Sequence, residues 1–150
     1  MAGLYLEDFT AGMVIRHPIT RTVTEADNMF FSMMTMNPQP LHIDFAFSAG
    51  TEWGRPLVNS LFTLGLMIGI SVHDTTLGTT IGNLGMTETV FPHPVFHGDT
   101  LRVETTVKSV RPSKSRLDRG VVEFEHSAFN QNGQLVGRTI RQAMILKKTP

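Results

Sequence analysis

The feature that most constrains this chain is a change of period near Thr79. Upstream, apolar residues recur at helical spacing. Downstream, Thr-, Val- and Phe-rich segments near 79–91, 100–110, 119–130 and 134–147 are separated by Gly, Pro and Asn-Gly signals, the pattern of antiparallel strands. Asn132-Gly133 is the clearest hairpin signal. Helices first and strands afterwards predict an α+β fold, with one long helix laid across a curved antiparallel sheet. A chain of 150 residues has room for one sizeable core, and no repeat, low-complexity tract or linker-like run divides it, so residues 1–150 read as one domain.

Within the first half, Thr20, Thr22 and Val23 suggest a short strand. Thr24 with Asp27 three residues later is a helix-start signal for a helix over about 24–35 carrying Met29, Phe30, Met33 and Met34. Pro38 and Pro40 make 36–41 an irregular loop, after which His42-Ile43-Asp44-Phe45-Ala46-Phe47 restarts a short helix, with His42 at or near its start. Trp53-Gly54-Arg55-Pro56 is a turn. Asn59 or Ser60 then caps the central helix, which runs to about Val72 with Leu61, Leu64, Met67 and Ile68 on one face. Thr63, Gly65, Gly69 and Ser71 interrupt that apolar run, and it is shorter than the ~20 residues a bilayer span requires.

Charge and composition narrow the function classes. Thirteen basic and thirteen acidic side chains cancel, so no global field attracts nucleic acid or an anionic membrane, and neither is expected as a partner. The absence of cysteine removes disulfides, thiolate metal sites and thiol nucleophiles, and fits a reducing cytoplasm. Glu7 and Asp8 lie where an export signal would need a basic start and an apolar run, so a cytoplasmic location is expected. His93 and His97 have the spacing of helical metal ligands, but Pro92, Pro94 and Gly98 forbid a helix there and no third ligand is nearby; no metal site is expected. Gly78, Gly82 and Gly85 are too widely set to cradle a phosphate.

The most informative string is Thr35-Met36-Asn37-Pro38-Gln39-Pro40-Leu41-His42-Ile43-Asp44. It resembles the motif of MaoC-like dehydratases of the (R)-specific enoyl-CoA hydratase type, where Ser-Gly-Asp-x-Asn-Pro-Leu-His supplies a catalytic Asp and a His five residues later. Pro40, Leu41 and His42 match position for position; Thr35 stands in the Ser position, Asn37 in the Asp position and Gln39 in the Asn position. Gly54-Arg55-Pro56-Leu57-Val58-Asn59-Ser60-Leu61-Phe62-Thr63-Leu64-Gly65 and Pro94-Val95-Phe96-His97-Gly98-Asp99-Thr100-Leu101 extend the resemblance over most of the chain. The resemblance implies a hot-dog fold, an acyl-CoA thioester substrate, hydro-lyase chemistry, no cofactor beyond the CoA of the substrate, and a homodimer or higher homo-oligomer with sites between subunits. Asn in place of Asp also resembles the branch acting on short branched or dicarboxylic acyl-CoAs such as mesaconyl- or itaconyl-CoA.

Hydration of an enoyl thioester puts hydroxide on the β-carbon and develops negative charge on the thioester oxygen. Backbone N–H groups at a helix start have no intrahelical partner and meet that need, so the Ser60 amide is the candidate donor, with Asn59-Ser60 where the family has His-Gly. His42 is the candidate general acid/base, kept neutral by its place at a helix start. Asn37 either positions the water, having no useful basicity itself, or holds an Asx turn before the two prolines. Asp44, two positions from His42 and so on another face, reads as a helix cap or a residue orienting the loop. Asn59 is a candidate substrate contact. Lys114 and Arg116, in a basic loop with Arg111 and Arg119, are either CoA phosphate ligands or a solvated hairpin connection. The rival readings are a hot-dog acyl-CoA thioesterase, which calls for an acidic residue on or near the central helix where Leu61 to Val72 has none, and a non-catalytic acyl-CoA binding module.

Overall fold

The computed structural model describes residues 3–148. A 3-10 turn at Leu6–Asp8 leads into strands β1 (Val14–Arg16) and β2 (Arg21–Thr22), helices α1 (Glu25–Met34), α2 (Pro40–Ile43), α3 (Phe45–Ala49) and α4 (Ser60–Thr75), and strands β3 (Thr80–Val90), β4 (Thr100–Pro112), β5 (Arg119–Phe129) and β6 (Leu135–Leu146). The sheet is antiparallel in the order β1-β4-β5-β6-β3, with β2 pairing the start of β4. With α4 packed on β4, β5 and β6, this is the hot-dog arrangement of a helix wrapped by a curved sheet. No helix of the described residues is long and apolar enough to cross a membrane.

Local chemistry explains the helix starts. Thr24 caps α1 by accepting from the Asp27 N–H, while the Asp27 carboxylate accepts from the Thr24 N–H, so two otherwise unpaired donors are satisfied. Asn59 caps α4 by accepting from the Leu61 N–H at 3.0 Å. Asp44 closes α2 and opens α3, accepting from the Phe47 N–H at 2.9 Å.

Three expectations need correction. The helix at His42 begins earlier, at Pro40, because proline is well placed at a first helical position where its missing N–H is not needed; His42 is therefore the third residue of a four-residue helix. Such a helix has little macrodipole to act on the imidazole. The central helix continues past Val72 to Thr75 and so does contain a carboxylate, Asp74, in its last turn. Its buried face is Thr63, Met67, Ile70, Ser71 and Thr75, while Leu61 is 58% exposed. The Asn132-Gly133 hairpin signal lies where expected, in the turn joining antiparallel β5 and β6, closed by the Gly133 N–H on the Asn130 carbonyl with Gly133 at φ 76°.

The buried face of α4 is partly polar because the inside of the sheet is. Two apolar clusters, one around Val23, Val58, Met67, Leu101 and Val103 and the other around Leu6, Phe9, Val107, Phe124 and Ile145, leave a polar belt between them. Asp74 accepts from His17 Nδ1–H at 3.0 Å, because a carboxylate can only accept. His17 Nε2 lies 2.8 Å from the Thr105 hydroxyl, which lies 2.8 Å from His126 Nδ1. His126 and Arg141 are both buried, and His126 Nε2 and Arg141 Nε have no partner among the described residues.

Candidate active site

Four backbone segments meet around Asn28, the fourth residue of α1, which is fully buried. Its Oδ1 accepts from the Asn59 N–H at 2.9 Å. Its amide nitrogen faces the His42 carbonyl at 3.0 Å, the Leu57 carbonyl at 3.1 Å and His97 Nε2 at 3.0 Å. The Leu57 N–H in turn donates to the Leu41 carbonyl at 3.0 Å, so the chain entering α4 is stitched to the one entering His42.

His42 is half-buried, and its Nδ1 lies 2.7 Å from the Leu57 carbonyl. A carbonyl cannot donate, so Nδ1 carries the hydrogen and the neutral ring presents its lone pair at Nε2. The carbonyl, rather than a helix dipole, sets the tautomer. An imidazole held in this way can take a proton from water and return it to carbon.

Ser60 is the first residue of α4, exposed, and lines a cavity of about 180 Å³ with Trp53, Leu57, Thr63, His93 and Val136. First-turn amides have no intrahelical acceptor, and the Ser60 N–H has no other partner among the described residues. Asn59 is buried beneath it; its side chain caps the helix and its backbone N–H goes to Asn28, so it supports the Ser60 turn. Asn37 is half-buried, and its Oδ1 accepts from the Gln39 N–H at 3.2 Å, an Asx turn ahead of α2. It lines a separate groove with Ser32, Met33, Met36 and Pro38. Within one chain, then, His42 and the Ser60 turn are tied together, and Asn37 opens on a different surface.

Lys114 and Arg116 are not brought to this cluster. They occupy the loop after β4, and the twelve steps of that strand from Thr100 to Pro112 carry the chain roughly 40 Å from the end nearest His97. The carboxylate that the extended α4 adds, Asp74, lies at the opposite end of the helix from Ser60 and is bonded to His17 and His73. His97 accepts at Nε2 from the Asn28 amide, so its hydrogen is on Nδ1; burial holds its pKa below the usual histidine value, with Arg55 acting in the same direction and Glu25 opposing. No three His, Asp or Glu side chains come together as a metal site among the described residues. Asn28 itself escaped the sequence reading. The available signal was an Asn inside an otherwise Met- and Phe-rich helix, where an amide is a poor helix former unless something buried needs it.

Known proteins resemble this chain along most of its length. Residues 8–128 match the model of the MaoC like domain family. The chain is 30% identical over 147 residues to mesaconyl-CoA hydratase of Cereibacter sphaeroides, covering 98% of this chain but 42% of that protein, so it spans less than half the relative's length. The crystal structure of a MaoC-like dehydratase from Rhodospirillum rubrum superposes with a TM-score of 0.84 at 29% identity, over 99% of this chain and 100% of that one. A Mycobacterium tuberculosis protein described as a double hot-dog fold superposes with a TM-score of 0.84 at 22% identity, over 99% of this chain and 46% of that one. The match over most of the chain, and the Pro-Leu-His run leading to an imidazole oriented beside the start of the central helix, assign this chain to the MaoC-like domain family.

Proposed function

We propose that this protein adds water to, or removes it from, the α,β double bond of an acyl-CoA thioester. The observation that carries the reading is the 2.7 Å bond from His42 Nδ1–H to the Leu57 carbonyl, which leaves a basic nitrogen beside the segment leading to the Ser60 amide. In the hydration direction, His42 Nε2 takes a proton as the water oxygen bonds to the β-carbon. The double-bond electrons move toward the thioester oxygen, which accepts from the Ser60 N–H, and the proton is then delivered to the α-carbon. Asn37, which opens on a different groove of its own chain, reaches the water in this proposal from a second copy and orients it without acting as base. Asn59 acts from below by fixing the turn. Lys114 and Arg116 have no part in the site of their own chain. Similarity to a mesaconyl-CoA hydratase supports a short dicarboxylic or branched acyl group as the substrate class.

The working unit in this proposal is a homodimer. Among the described residues the outer edge of β3 has no strand beside it, and nine of its eleven residues are exposed. Phe30 (69%), Met33 (64%) and Met36 (89%) stand out from the same chain that carries Asn37. An unprotected edge and an apolar patch next to a split site are both removed by a second copy.

The test is loss of enoyl-thioester absorbance with crotonyl-CoA and with mesaconyl-CoA, alongside a His42→Ala variant. Turnover that drops at least about 100-fold in a folded His42→Ala protein is expected. Unchanged turnover in that variant, or release of free CoA in place of water addition, overturns the proposal; the second outcome is the thioesterase reaction.

A further inference from the structure

Both halves of the proposed site are registered to one side chain outside it. Because the Asn59 N–H can only donate, the Asn28 amide has a single orientation: oxygen toward Asn59, nitrogen toward the three acceptors. Two N–H bonds then serve the His42 carbonyl, the Leu57 carbonyl and His97 Nε2, one of them shared. The Leu57 carbonyl held by Asn28 is also the one that holds the His42 ring. The Asn59 amide held by Asn28 belongs to the residue before Ser60. Buried amides of this kind are costly unless fully bonded, and the satisfied arrangement is available in only one relative placement of α1, α2 and the start of α4.

We infer that Asn28 is the positioning residue of this site: it fixes the tautomer and direction of His42 and the placement of the Ser60 amide through a single side-chain fork, without touching substrate. His97 completes the fork as an acceptor, and it can do so only while its Nε2 lacks a hydrogen. The groups around that imidazole are Glu25 on α1, Arg55 on the segment before α4, and the Phe45 ring on α3 at 6.1 Å.

The inference rests on the hydratase reading for its catalytic consequence, and its structural consequence is measurable without substrate. In the full chain, Asn28→Leu is expected to keep the branched side-chain shape and lose every side-chain bond. Ring nitrogen-15 shifts of His42 then move from the Nδ1–H tautomer toward a mixture, and kcat falls on the order of 100-fold with little change in KM. Asn28→Asp keeps the acceptor for Asn59 but sets a carboxylate against two carbonyls and the His97 lone pair. Its kcat shortfall is expected to narrow as pH is lowered and the carboxyl regains a donor hydrogen, a dependence that a purely structural role does not produce. If Asn28→Leu does not fold, Asn28→Asp carries the test. A folded Asn28→Leu with the wild-type tautomer and kcat, or an Asn28→Asp shortfall that ignores pH, overturns the inference. If the wild-type chain hydrates neither substrate, the hydratase reading fails while the nitrogen shifts still decide the role of Asn28.

Discussion

Met36 is where the family's run carries glycine, and its backbone keeps the glycine shape, with φ at 54°. An L side chain in this left-handed region costs roughly 1–2 kcal/mol, and the Met36 side chain, 89% exposed, makes little packing within the chain to offset that. Met36→Gly also loosens the unfolded chain, which takes back up to about 1 kcal/mol. The expected net result is a gain of a few tenths to about 1 kcal/mol in urea unfolding. A loss that grows as the protein is diluted would instead place Met36 against a second copy. The neighbouring Asn37 shows how far one residue can be read in isolation: both uses of its amide were legible from composition, but only the Gln39 N–H at 3.2 Å shows the turn being made.

At the scale of elements, what was readable depended on how far apart the interacting residues are. The Thr24–Asp27 capping box, the Asp44 cap and the four long strands lie within a residue or two of their expected places, because capping and alternation act over a few neighbours. Strand β1 was missed, since Val14–Arg16 is strand only because β4 lies beside it. The buried face of α4 was misjudged because hydrophobicity predicts what sits against oil, and part of its partner surface is hydroxyl and imidazole. Asn28 was out of reach for the same reason, its partners lying 14 to 69 residues away. Where the reading was local it also supports a measurement: Asn59→Ala removes the α4 cap but keeps the backbone bond to Asn28, and thermal unfolding is expected to show a loss of about 1 kcal/mol that Asn59→Asp largely restores.

For the molecule as a whole, the polar belt sets the response to acid. Burial, with help from the charges of Arg141 and His17, pushes the His126 pKa down from 6.5 to about 3. The unfolded chain therefore takes up a proton that the folded one refuses, and stability declines as pH falls from about 6.5 toward about 3, with a limiting slope near 1.4 kcal/mol per pH unit for one group. His97, also depressed by burial, acts in the same direction. Asp74, whose carboxylate is favoured first by its bond to His17, contributes only once pH drops below its ordinary value of 3.8. Urea midpoints measured at about pH 7 and about pH 5 are expected to separate clearly in the wild type and less in His126→Gln; equal separations would place the titrating group elsewhere. The bond from His17 to Asp74 does something further for the molecule. Grease-on-grease contact tolerates a helix sliding along its axis, whereas a 3.0 Å bond does not. Helix α4 is a stiff rod whose two ends, Ser60 and Asp74, are about 21 Å apart at ~1.5 Å per residue. Pinning one end of a rod decides where the other end stops, so the position of the Ser60 turn is gauged at the far side of the molecule, by a pair of residues about 21 Å from it.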